Sequence, residues 1–482
     1  MESRDELRGP KRRGLRIKLI KPAERPRPGV LLNRTTRFMD AALPMLAALT
    51  PEPHEVTLVD ESFAPDRRYE PVDVVGISVW TDLAMRAYAI ADHYRKRGVT
   101  VVMGGIHPTM CPDEVQAHCD ALVIGEGDLA WPALLADLEA GNLQPRYDYR
   151  DRIPEHLGAL PLPRRDLYPR LQGLNPVPAG VGIEASRGCP YDCEFCSVLE
   201  VRGHRYRHRP VEEILAEIDA IDAANLIFVD DNVALDRKRA KELFRGMIGM
   251  GKQWVAEASV GLADDLDLLE LMRQSGCRGL MIGFESVQPE TMVGMKKLSR
   301  MHLTPVEIVR RFHDSDIPVM GNFVFGFDHE TPEVFDLTLD FAFRSELELA
   351  QFRALVPYPG TPFHARLLRE GRLLDPHWWR NPDRLPGEAT PLFEPKRMSR
   401  LQLAEGMLRL TREFYGWRGR LQRLRSLRPL HRPPVETALL LGTDWAFGSR
   451  YASAFQFSLD RVRAEEDVAA GVAEPAEVLA EV

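Results

Sequence analysis

The sequence predicts an α/β protein with two successive parallel sheets and a mostly helical C-terminal region. Short β-rich runs alternate with helix-like segments over residues 15–145, and the same alternation returns over residues 179–365. Strands that alternate with helices in this way form parallel sheets. The first region therefore predicts a doubly wound sheet of the Rossmann type. The six strand candidates of the second region predict a partial (β/α)6 barrel of the TIM type.

Each predicted strand is a short run rich in Val, Ile, Leu or aromatic residues. In the first region the predicted strands are Arg16–Ile20, Glu55–Val59, Asp73–Val79, Val99–Met103 and Ala121–Ile124. In the second region they are Val181–Ala185, Leu226–Val229, Trp254–Ser259, Gly279–Phe284, Val319–Phe327 and Ala350–Val356. Helical segments between them are predicted at 81–97, 211–222 and 236–250.

These patterns divide the chain into five parts. The predicted parts are an N-terminal domain over 1–145, a Pro- and Arg-rich linker over 146–178, the barrel over 179–365, a helical region over 366–460 and a flexible acidic tail over 461–482. Parallel sheets bind their ligands at the carboxyl ends of the strands, so we expect the chemistry of both domains there. The helical region is expected to cover the barrel or to contact a substrate.

Length and charge exclude several classes of protein. A chain of 482 residues can bury a large core without disulfides, and six cysteines are too few for a disulfide framework. A net charge of −8 disfavours a nucleic-acid-binding protein, whose surface is usually basic. No apolar run reaches about 18 residues, and the charged N-terminus lacks the apolar core of a secretory signal. The expected location is the cytoplasm.

Three cysteines crowd into the segment SRGCPYDCEFCSV. Cys189, Cys193 and Cys196 have the spacing C-x3-C-x2-C. Gly188 and Pro190 argue against a helix here, because proline disfavours helical geometry in the residue before it. The segment is therefore predicted to be a loop after a strand, in which three thiolates can converge on one centre.

The spacing alone leaves three interpretations of this loop open. Thiolates are ligands of iron–sulfur clusters and of zinc. The triplet could hold three irons of a 4Fe–4S cluster and leave the fourth iron open to a cosubstrate. It could instead form a Cys3His zinc site with His204 or His208 as the fourth ligand, or it could consist of three buried thiols.

The triplet, with an aromatic residue directly before its last cysteine, resembles the cluster-binding loop of the radical S-adenosylmethionine (SAM) superfamily. The resemblance implies that SAM binds the open iron and that an electron from the cluster cleaves SAM to a 5′-deoxyadenosyl radical. It also implies that residues at later strand ends contact SAM, in the segments FVDDN, GFES and GNFVFG. The residues assigned to SAM are Phe195, Asp230, Asp231, Asn232, Glu285, Ser286, Gly321 and Gly326. Taken singly, the aspartates could also cap a helix, and the glutamate could pair with an arginine.

Residues 103–128 resemble the cobalamin-binding domain that precedes many radical SAM domains. Glycines after strand ends would let the backbone approach a flat corrin ring. The residues assigned to cobalamin are Gly104, Gly105, His107, Thr109, Gly125, Glu126 and Gly127. The sequence lacks the D-x-H-x-x-G motif, whose histidine ligates cobalt in mutase-type cobalamin proteins, and Asp60–Phe63 stands where that motif is expected. His107 could ligate cobalt, although a histidine held by backbone hydrogen bonds is the favoured interpretation.

Together the resemblances imply a cobalamin-dependent radical SAM enzyme that methylates an unactivated carbon of a small-molecule substrate. The deoxyadenosyl radical would remove a hydrogen atom, methylcobalamin would supply the methyl group, and a reducing partner such as flavodoxin or ferredoxin would supply the electron. Two alternatives stay open. One is radical cyclisation or oxidation without methyl transfer. The other is a zinc-stabilised binding protein that uses the basic stretch 411–432, although a solvated helix is the favoured interpretation of that stretch.

Two further sets of residues are interpreted as structural. Isolated cysteines are expected to be buried thiols, and these are Cys111, Cys119 and Cys277. The aromatic residues of the helical region are expected to lie in the core, and these are Tyr415, Trp417 and Trp445. The N-terminal domain has only two cysteines, too few to hold a second cluster, which counts against RNA methylthiolation.

Overall fold

The computed structural model describes residues 14–23, 38–64, 66, 70–168, 180–294, 302–381, 389–426, 434–470 and 472. The first and last predicted segments, part of the linker and residues 427–432 of the basic stretch lie partly or wholly outside these ranges. The chain forms two compact units. The first contains residues up to 23, 40–153 and 159–168, and the second contains 38–39, 154–158 and the described residues from 180 onward.

Fifteen strands and sixteen helices are present in the described part of the chain. The strands are β1 (Arg16–Lys21), β2 (Phe38–Met39), β3 (Glu55–Asp60), β4 (Val74–Ser78), β5 (Thr100–Gly104), β6 (Ala121–Ile124), β7 (Arg146–Asp148), β8 (Gly180–Ile183), β9 (Ser186–Arg187), β10 (Arg207–His208), β11 (Asn225–Phe228), β12 (Gln253–Ser259), β13 (Cys277–Glu285), β14 (Val319–Phe325) and β15 (Leu349–Ala354).

The helices alternate with the strands as far as β15 and then follow one another. They are α1 (Ala42–Ala48), α2 (Ala84–Arg95), α3 (Ile106–Met110), α4 (Pro112–Gln116), α5 (Gly127–Glu139), α6 (Val198–Arg202), α7 (Val211–Asp219), α8 (Arg237–Met247), α9 (Leu266–Gln274), α10 (Pro289–Gly294), α11 (Pro305–Asp314), α12 (Glu333–Arg344), α13 (Pro362–Arg369), α14 (Arg400–Tyr415), α15 (Trp417–Ser426) and α16 (Pro434–Ala469).

The first unit contains a six-stranded parallel sheet in the order β3-β1-β4-β5-β6-β7. This confirms the predicted doubly wound sheet, because the chain starts in the middle and builds outward in both directions. The sheet continues past the predicted boundary at 145, since β7 pairs with β6 and buries Tyr147. Tyr168, within the predicted linker, packs edge-to-face on Phe63 and accepts a hydrogen bond from the Asp40 amide, 3.1 Å. These residues of the predicted linker therefore belong to the first unit.

The second unit contains a seven-stranded parallel sheet in the order β15-β14-β13-β12-β11-β8-β2. Six of these strands are the predicted barrel strands, which confirms the partial barrel. The seventh, β2, was not predicted; it lies far upstream in the chain and pairs with β8 through Phe38 opposite Gly180. The barrel sheet therefore includes a strand from the region that the sequence assigns to the N-terminal domain.

Side chains alternate between the helix layer and the inside of the barrel. On β14, Val319, Phe323 and Phe325 are buried, and the intervening residues are less buried. The phenylalanine rings pack on rings of α12, with Phe325 5.1 Å from Phe335 between ring centroids. The hydrophobic core of this unit thus lies between sheet and helices. The alternate residues of each strand face the barrel interior, where a ligand can reach them.

The C-terminal helices pack on this core. Val462 is fully buried on α16, which continues to Ala469 beyond the boundary at 461 predicted for a flexible tail. The expectation that Tyr415 lies in the core is confirmed, since it is 4% exposed, but the same expectation is wrong for Trp417 and Trp445, at 70% and 61% exposed. Among the described residues, no helix combines the length and the apolar character needed to cross a bilayer.

The packing of α14 on α12 predicts opposite effects for two glycine substitutions. A β-carbon at Gly406 on α14 would lie 2.0 Å from the Phe335 ring, whereas one at Gly442 on α16 would have nothing within 4 Å. Overpacking should make Gly406→Ala less stable by about 2 kcal/mol. Gly442→Ala should be more stable by about 0.5–1 kcal/mol, because alanine favours an exposed helix. Thermal midpoints of the two variants should move in opposite directions, and equal midpoints would contradict the close approach of the helices.

Candidate active site

A cavity of about 450 Å³ lies inside the partial barrel. Its wall is formed by the cysteine loop and by residues at or near the carboxyl ends of the strands. Among the lining residues are Cys189, Tyr191, Cys193, Phe195, Cys196, Asp231, Asn232, Glu257, Met281, Glu285, Asn322 and Arg353. The structure thus brings together all three cysteines and four of the eight residues assigned to SAM. Parallel barrels carry their chemistry at this end.

The three cysteines lie on a loop, as predicted. The loop follows β9 and precedes α6, and the Cys196 amide donates to the Cys193 carbonyl, 3.0 Å. Gly188 starts the loop with φ of +84°, and a β-carbon there would lie 2.3 Å from the Arg205 carbonyl oxygen. Only glycine fits this conformation at this approach. Burial raises the pKa of the Cys196 thiol to about 12, so metal binding would have to displace its proton.

The spacing of the thiols differs from that of a zinc site. Sulfur atoms of a tetrahedral zinc site lie roughly 4 Å apart, because each Zn–S bond is about 2.3 Å. In the described chain, the set of three or more potential ligands whose donor atoms all lie within 4.8 Å of one another is His107, Cys111 and Glu114. The three loop sulfurs, with or without a nearby histidine, do not form such a set. At least one pair of these sulfurs is therefore more than 4.8 Å apart, which a cluster several ångströms across accommodates more readily than a single zinc ion.

The three polar residues after β11 do not all face the cavity. Asp231 and Asn232 line it, whereas Asp230 is buried in the protein behind it. Asp231 lines the cavity and accepts a hydrogen bond from the Gly188 amide, 3.2 Å. Asp230 is buried behind the wall, where it accepts from the Ala185 amide and from the Ser186 hydroxyl. Burial raises the pKa of Asp230 to about 7. The assignment of Asp230 to SAM is therefore corrected: its oxygens are used to hold the start of the cysteine loop.

The end of β13 has an unusual backbone conformation. Glu285 has φ of +62°, and the pairing with β14 shifts register between Gly283 and Glu285. Left-handed backbone in a residue other than glycine is strained and often marks a functional site. The bulge keeps Glu285 on the cavity wall and directs the next residue, Ser286, into the protein. The assignment of Ser286 to SAM is corrected accordingly, because it is 1% exposed.

Ser286 leads to a residue that the sequence interpretation missed. Its hydroxyl donates to Glu330 at 2.7 Å, and the other oxygen of Glu330 accepts the amides of Gly326 at 2.8 Å and Phe327 at 3.1 Å. Glu330 is fully buried, and burial raises its pKa to about 7. It ties the end of β13 to the turn after β14. The sequence signal that could have identified Glu330 is its position four residues after Gly326, the glycine that follows β14.

Two glycines assigned to SAM do not line the cavity either. A β-carbon at Gly321 would lie 2.8 Å from the Phe323 ring and 2.9 Å from the Leu347 side chain. Gly321 is therefore required by packing on the helix side of β14. Gly326 has φ of +109°, which allows the turn that presents its amide to Glu330. Both glycines shape the wall instead of contacting the space inside it.

Polar residues in the barrel interior were also missed. Asn322 lines the cavity, and its side-chain oxygen is buried without a hydrogen-bond partner among the described residues. Arg353 lines the same space and donates to Gln351 at 2.7 Å, and Glu257 lies on the wall as well. A buried amide oxygen without a partner favours a ligand that brings a donor. An amino acid carrying a nucleoside, with its ammonium and hydroxyl donors, fits this arrangement.

In the first unit, the residues assigned to cobalamin gather after β5 and β6. Gly105 has φ of +108°, and a β-carbon there would lie 3.0 Å from the backbone of Val79. Thr109 donates to the Gly105 carbonyl, 2.8 Å, and accepts the Gly125 amide, 3.0 Å, so its side chain joins the two loops. The half-buried Glu126 and Gly127 follow directly. Gly104, Gly105, Glu126 and Gly127 are partly exposed at this edge, whereas Thr109 and Gly125 are buried. The edge lies where doubly wound sheets bind ligands.

His107 is held inside the first unit. It is fully buried, its amide donates to the Val79 carbonyl at 3.0 Å, and its Nε2 lies 2.8 Å from the Tyr88 hydroxyl. That hydroxyl donates to Glu114, 3.0 Å. The contacts support the interpretation of His107 as a structural histidine and leave its Nε2 occupied. Of the isolated cysteines, Cys119 and Cys277 are buried as expected, whereas Cys111, beside His107, is only partly buried.

Comparisons with known proteins agree with this division. The Radical SAM superfamily profile matches residues 183–342, and that of the B12 binding domain matches residues 29–135. Bacteriochlorophyllide d C-12(1)-methyltransferase of Chlorobaculum tepidum is 30% identical over 408 residues, which are 82% of this chain and 86% of that protein. Hopanoid C-2 methylase of Rhodopseudomonas palustris is 29% identical over 71% of this chain and 67% of that protein.

A solved structure has the same fold over most of the chain. The radical SAM methyltransferase TsrM from Kitasatospora setae, solved with cobalamin and a 4Fe–4S cluster, aligns with a TM-score of 0.62. The alignment covers 92% of this chain and 99% of that chain at 17% sequence identity. At this identity the likeness concerns the fold alone.

The buried Glu330 predicts a pH dependence of stability. Its folded-state pKa of about 7 exceeds the ordinary value of 4.5, so the unfolded chain loses this proton first as pH rises. Stability should therefore fall between about pH 5 and pH 8, by something on the order of 3 kcal/mol for this group. Asp230 acts in the same direction. Glu330→Gln keeps the shape, and its amide oxygen can still accept the amides of Gly326 and Phe327. Its thermal midpoint should fall less over this range than that of the unchanged protein.

Glu333→Gln is the matched control, because Glu333 is a solvent-exposed carboxylate whose pKa is lowered by the Thr331 hydroxyl. That variant should keep the full decline between pH 5 and pH 8. An identical slope for Glu330→Gln and Glu333→Gln would show that Glu330 is ionised in the folded protein.

Proposed function

The chain belongs to the radical SAM superfamily, among the members that carry a B12-binding domain, and on this premise we propose that it is a cobalamin-dependent C-methyltransferase. Its cofactors are a 4Fe–4S cluster, SAM and cobalamin. The observation that carries the proposal is the barrel cavity, where the three loop thiols line the same space as Phe195, Asp231 and Glu285. When bound, the cluster and SAM supply a 5′-deoxyadenosyl radical and cobalamin supplies the methyl group.

In the proposal, the cysteine loop holds the cluster. Cys189, Cys193 and Cys196 would be its protein ligands, and three thiolates would leave one iron open to SAM. Desolvation keeps a free thiol protonated at Cys196, and coordination to iron replaces that proton.

The remaining cavity residues hold SAM in this proposal. The carboxylates of Asp231 and Glu285 and the side-chain oxygen of Asn322 would accept hydrogen bonds from the ammonium and hydroxyl donors of SAM. Phe195 offers a ring surface to the adenine, and its own ring packs edge-to-face on Phe327 at 5.7 Å. The apolar remainder of the wall excludes water from a reactive radical.

Methyl transfer to carbon is supported by the relatives, of which one is called a methyltransferase and one a methylase. The substrates in their names, a bacteriochlorophyllide and a hopanoid, differ from each other, so we propose the reaction and leave the small-molecule substrate open. The glycine-rich edge of the first unit, at Gly105 and Gly125–Gly127, would hold the cobalamin that supplies the methyl group. A small redox protein of the cytoplasm, such as a flavodoxin or ferredoxin, would supply the electron.

SAM cleavage is the first test. The anaerobic protein, reconstituted with iron and sulfide and reduced with dithionite, should release 5′-deoxyadenosine from SAM. Simultaneous replacement of the three loop cysteines by alanine should reduce release to background, because the ligands of the cluster are removed. Cys111→Ala, a partly buried cysteine of the first unit, should retain the activity. Zinc in the purified protein with no SAM cleavage would contradict the proposal.

Cobalamin binding is the second test. The protein incubated with hydroxocobalamin and passed through gel filtration should retain about one corrin per chain, measured by its visible spectrum. Retention should persist in the triple cysteine variant, since the corrin would lie in the other unit. If SAM is cleaved and no corrin is retained, methyl transfer from cobalamin is excluded and a cobalamin-independent radical reaction replaces it.

A further inference from the structure

We infer that Arg366 is a positioning residue that clamps the cysteine loop from outside the barrel, and that it controls how firmly the loop holds its cluster. The part of the inference that concerns the cluster rests on the proposed function, which assigns a 4Fe–4S cluster to this loop. The clamp itself is a set of contacts between the loop and α13. We define it as the contacts of Glu194 with Arg366 and Phe363.

The ionic part of the clamp is a two-point contact. Glu194 lies in the loop between Cys193 and Phe195, and Arg366 lies on α13. The Arg366 Nε donates to one Glu194 oxygen at 3.2 Å and the Nη2 donates to the other at 2.6 Å. A bidentate pair of this kind fixes direction as well as distance, which a single contact does not. The loop therefore has one preferred position relative to α13.

The backbone part of the clamp adds a second anchor at the same residue. The Phe363 amide donates to the Glu194 carbonyl at 2.9 Å. This amide belongs to the first turn of α13, where no intrahelical partner is available to it. The loop thus supplies an acceptor that the helix start needs, and both ends of Glu194 are held by one short helix.

An apolar cluster lies beneath these polar contacts. The loop residue Phe195 packs against five apolar side chains that are buried together, namely Phe327, Leu355, Phe363, Leu367 and Phe393. Phe327 lies between β14 and β15 in the chain, and the other four residues follow β15. The loop is therefore seated on a surface built mainly by residues 355–393, which lie beyond the matched radical SAM region at 183–342.

Arg366 is itself held in place. Its guanidinium lies 5.3 Å from the centre of the Phe363 ring, and its Nη1 contacts Asp328. Asp328 also pairs with Arg372 at 2.9 Å and with Lys396 at 2.9 Å. Because these neighbours restrict Arg366 before it meets Glu194, little side-chain entropy is lost in forming the clamp. The pair is consequently worth more than an isolated surface ion pair.

Thiol reactivity in the metal-free, full-length chain tests the clamp without a cluster. Arg366→Ala should raise the rate at which iodoacetamide modifies Cys193 by about fivefold, because the loop opens more often. Arg366→Lys should give an intermediate rate, since it keeps the charge and loses the two-point contact. Arg369→Ala, an exposed arginine of the same helix, should match the unchanged protein. Cys111 of the first unit is the internal reference and should react equally in all variants.

Iron retention tests the consequence. With the reconstituted protein under a chelator, Arg366→Ala and Glu194→Ala should each lose iron about fivefold faster than Arg369→Ala. The double variant should be no faster than either single variant, because both remove one interaction. Equal Cys193 modification in Arg366→Ala and the unchanged protein would overturn the clamp. Failure of the unchanged protein to take up iron would instead refute the proposed cluster, and the Cys193 rates would still decide the clamp.

Discussion

The cavity depends on carboxyl groups buried behind its wall. At the carboxyl ends of the barrel strands the backbone leaves the sheet, so its amides lose their sheet partners and need other acceptors. Asp230 accepts the amide of Ala185 at the start of the cysteine loop, and Glu330 accepts the amides of Gly326 and Phe327 after β14. An apolar residue at either position would leave buried donors unpaired, at a cost of about 1–3 kcal/mol for each. The two sides of the wall are thus each fixed by one carboxyl group.

Charged side chains hold the backbone that leads into the cysteine loop. Glu184 accepts hydrogen bonds from Arg187 at 2.9 Å and Arg202 at 2.8 Å, and the arginines lower its pKa to about 2 although burial alone would raise it. The carbonyls of Glu184 and Ala185 accept from Arg209 at 3.1 Å and from Arg239 at 3.2 Å. Such pairs add little net stability, because desolvation offsets their attraction. Their effect is to give the loop a single starting direction, on which the convergence of three thiols depends.

Much of this arrangement could be predicted from local sequence, and the part that could not be predicted is non-local. The strands follow from β-rich runs between helical segments, and the loop follows from Gly188 and Pro190 beside the cysteines. The pairing of β2 with β8 has no local signal, because a two-residue strand carries no periodicity. Ser286 was assigned to SAM with the rest of the segment GFES. The register shift that turns it away from the cavity could not be predicted, because it is a property of the pairing with β14. Glu330 was missed because its partners come from two strand ends that only the fold brings together.

The C-terminal helix α14 covers an exposed edge of the open barrel sheet. A sheet that does not close leaves two edge strands with unpaired backbone groups, and one of them here is β15. The Tyr415 hydroxyl, at the end of α14, accepts the Ala350 amide at 3.1 Å and donates to the Ala350 carbonyl at 2.5 Å. One buried side chain therefore satisfies both free groups of an edge residue. This part of the helical region thus protects the edge of the sheet. The contact holds β15 in place beside β14, and with it Arg353 on the cavity wall.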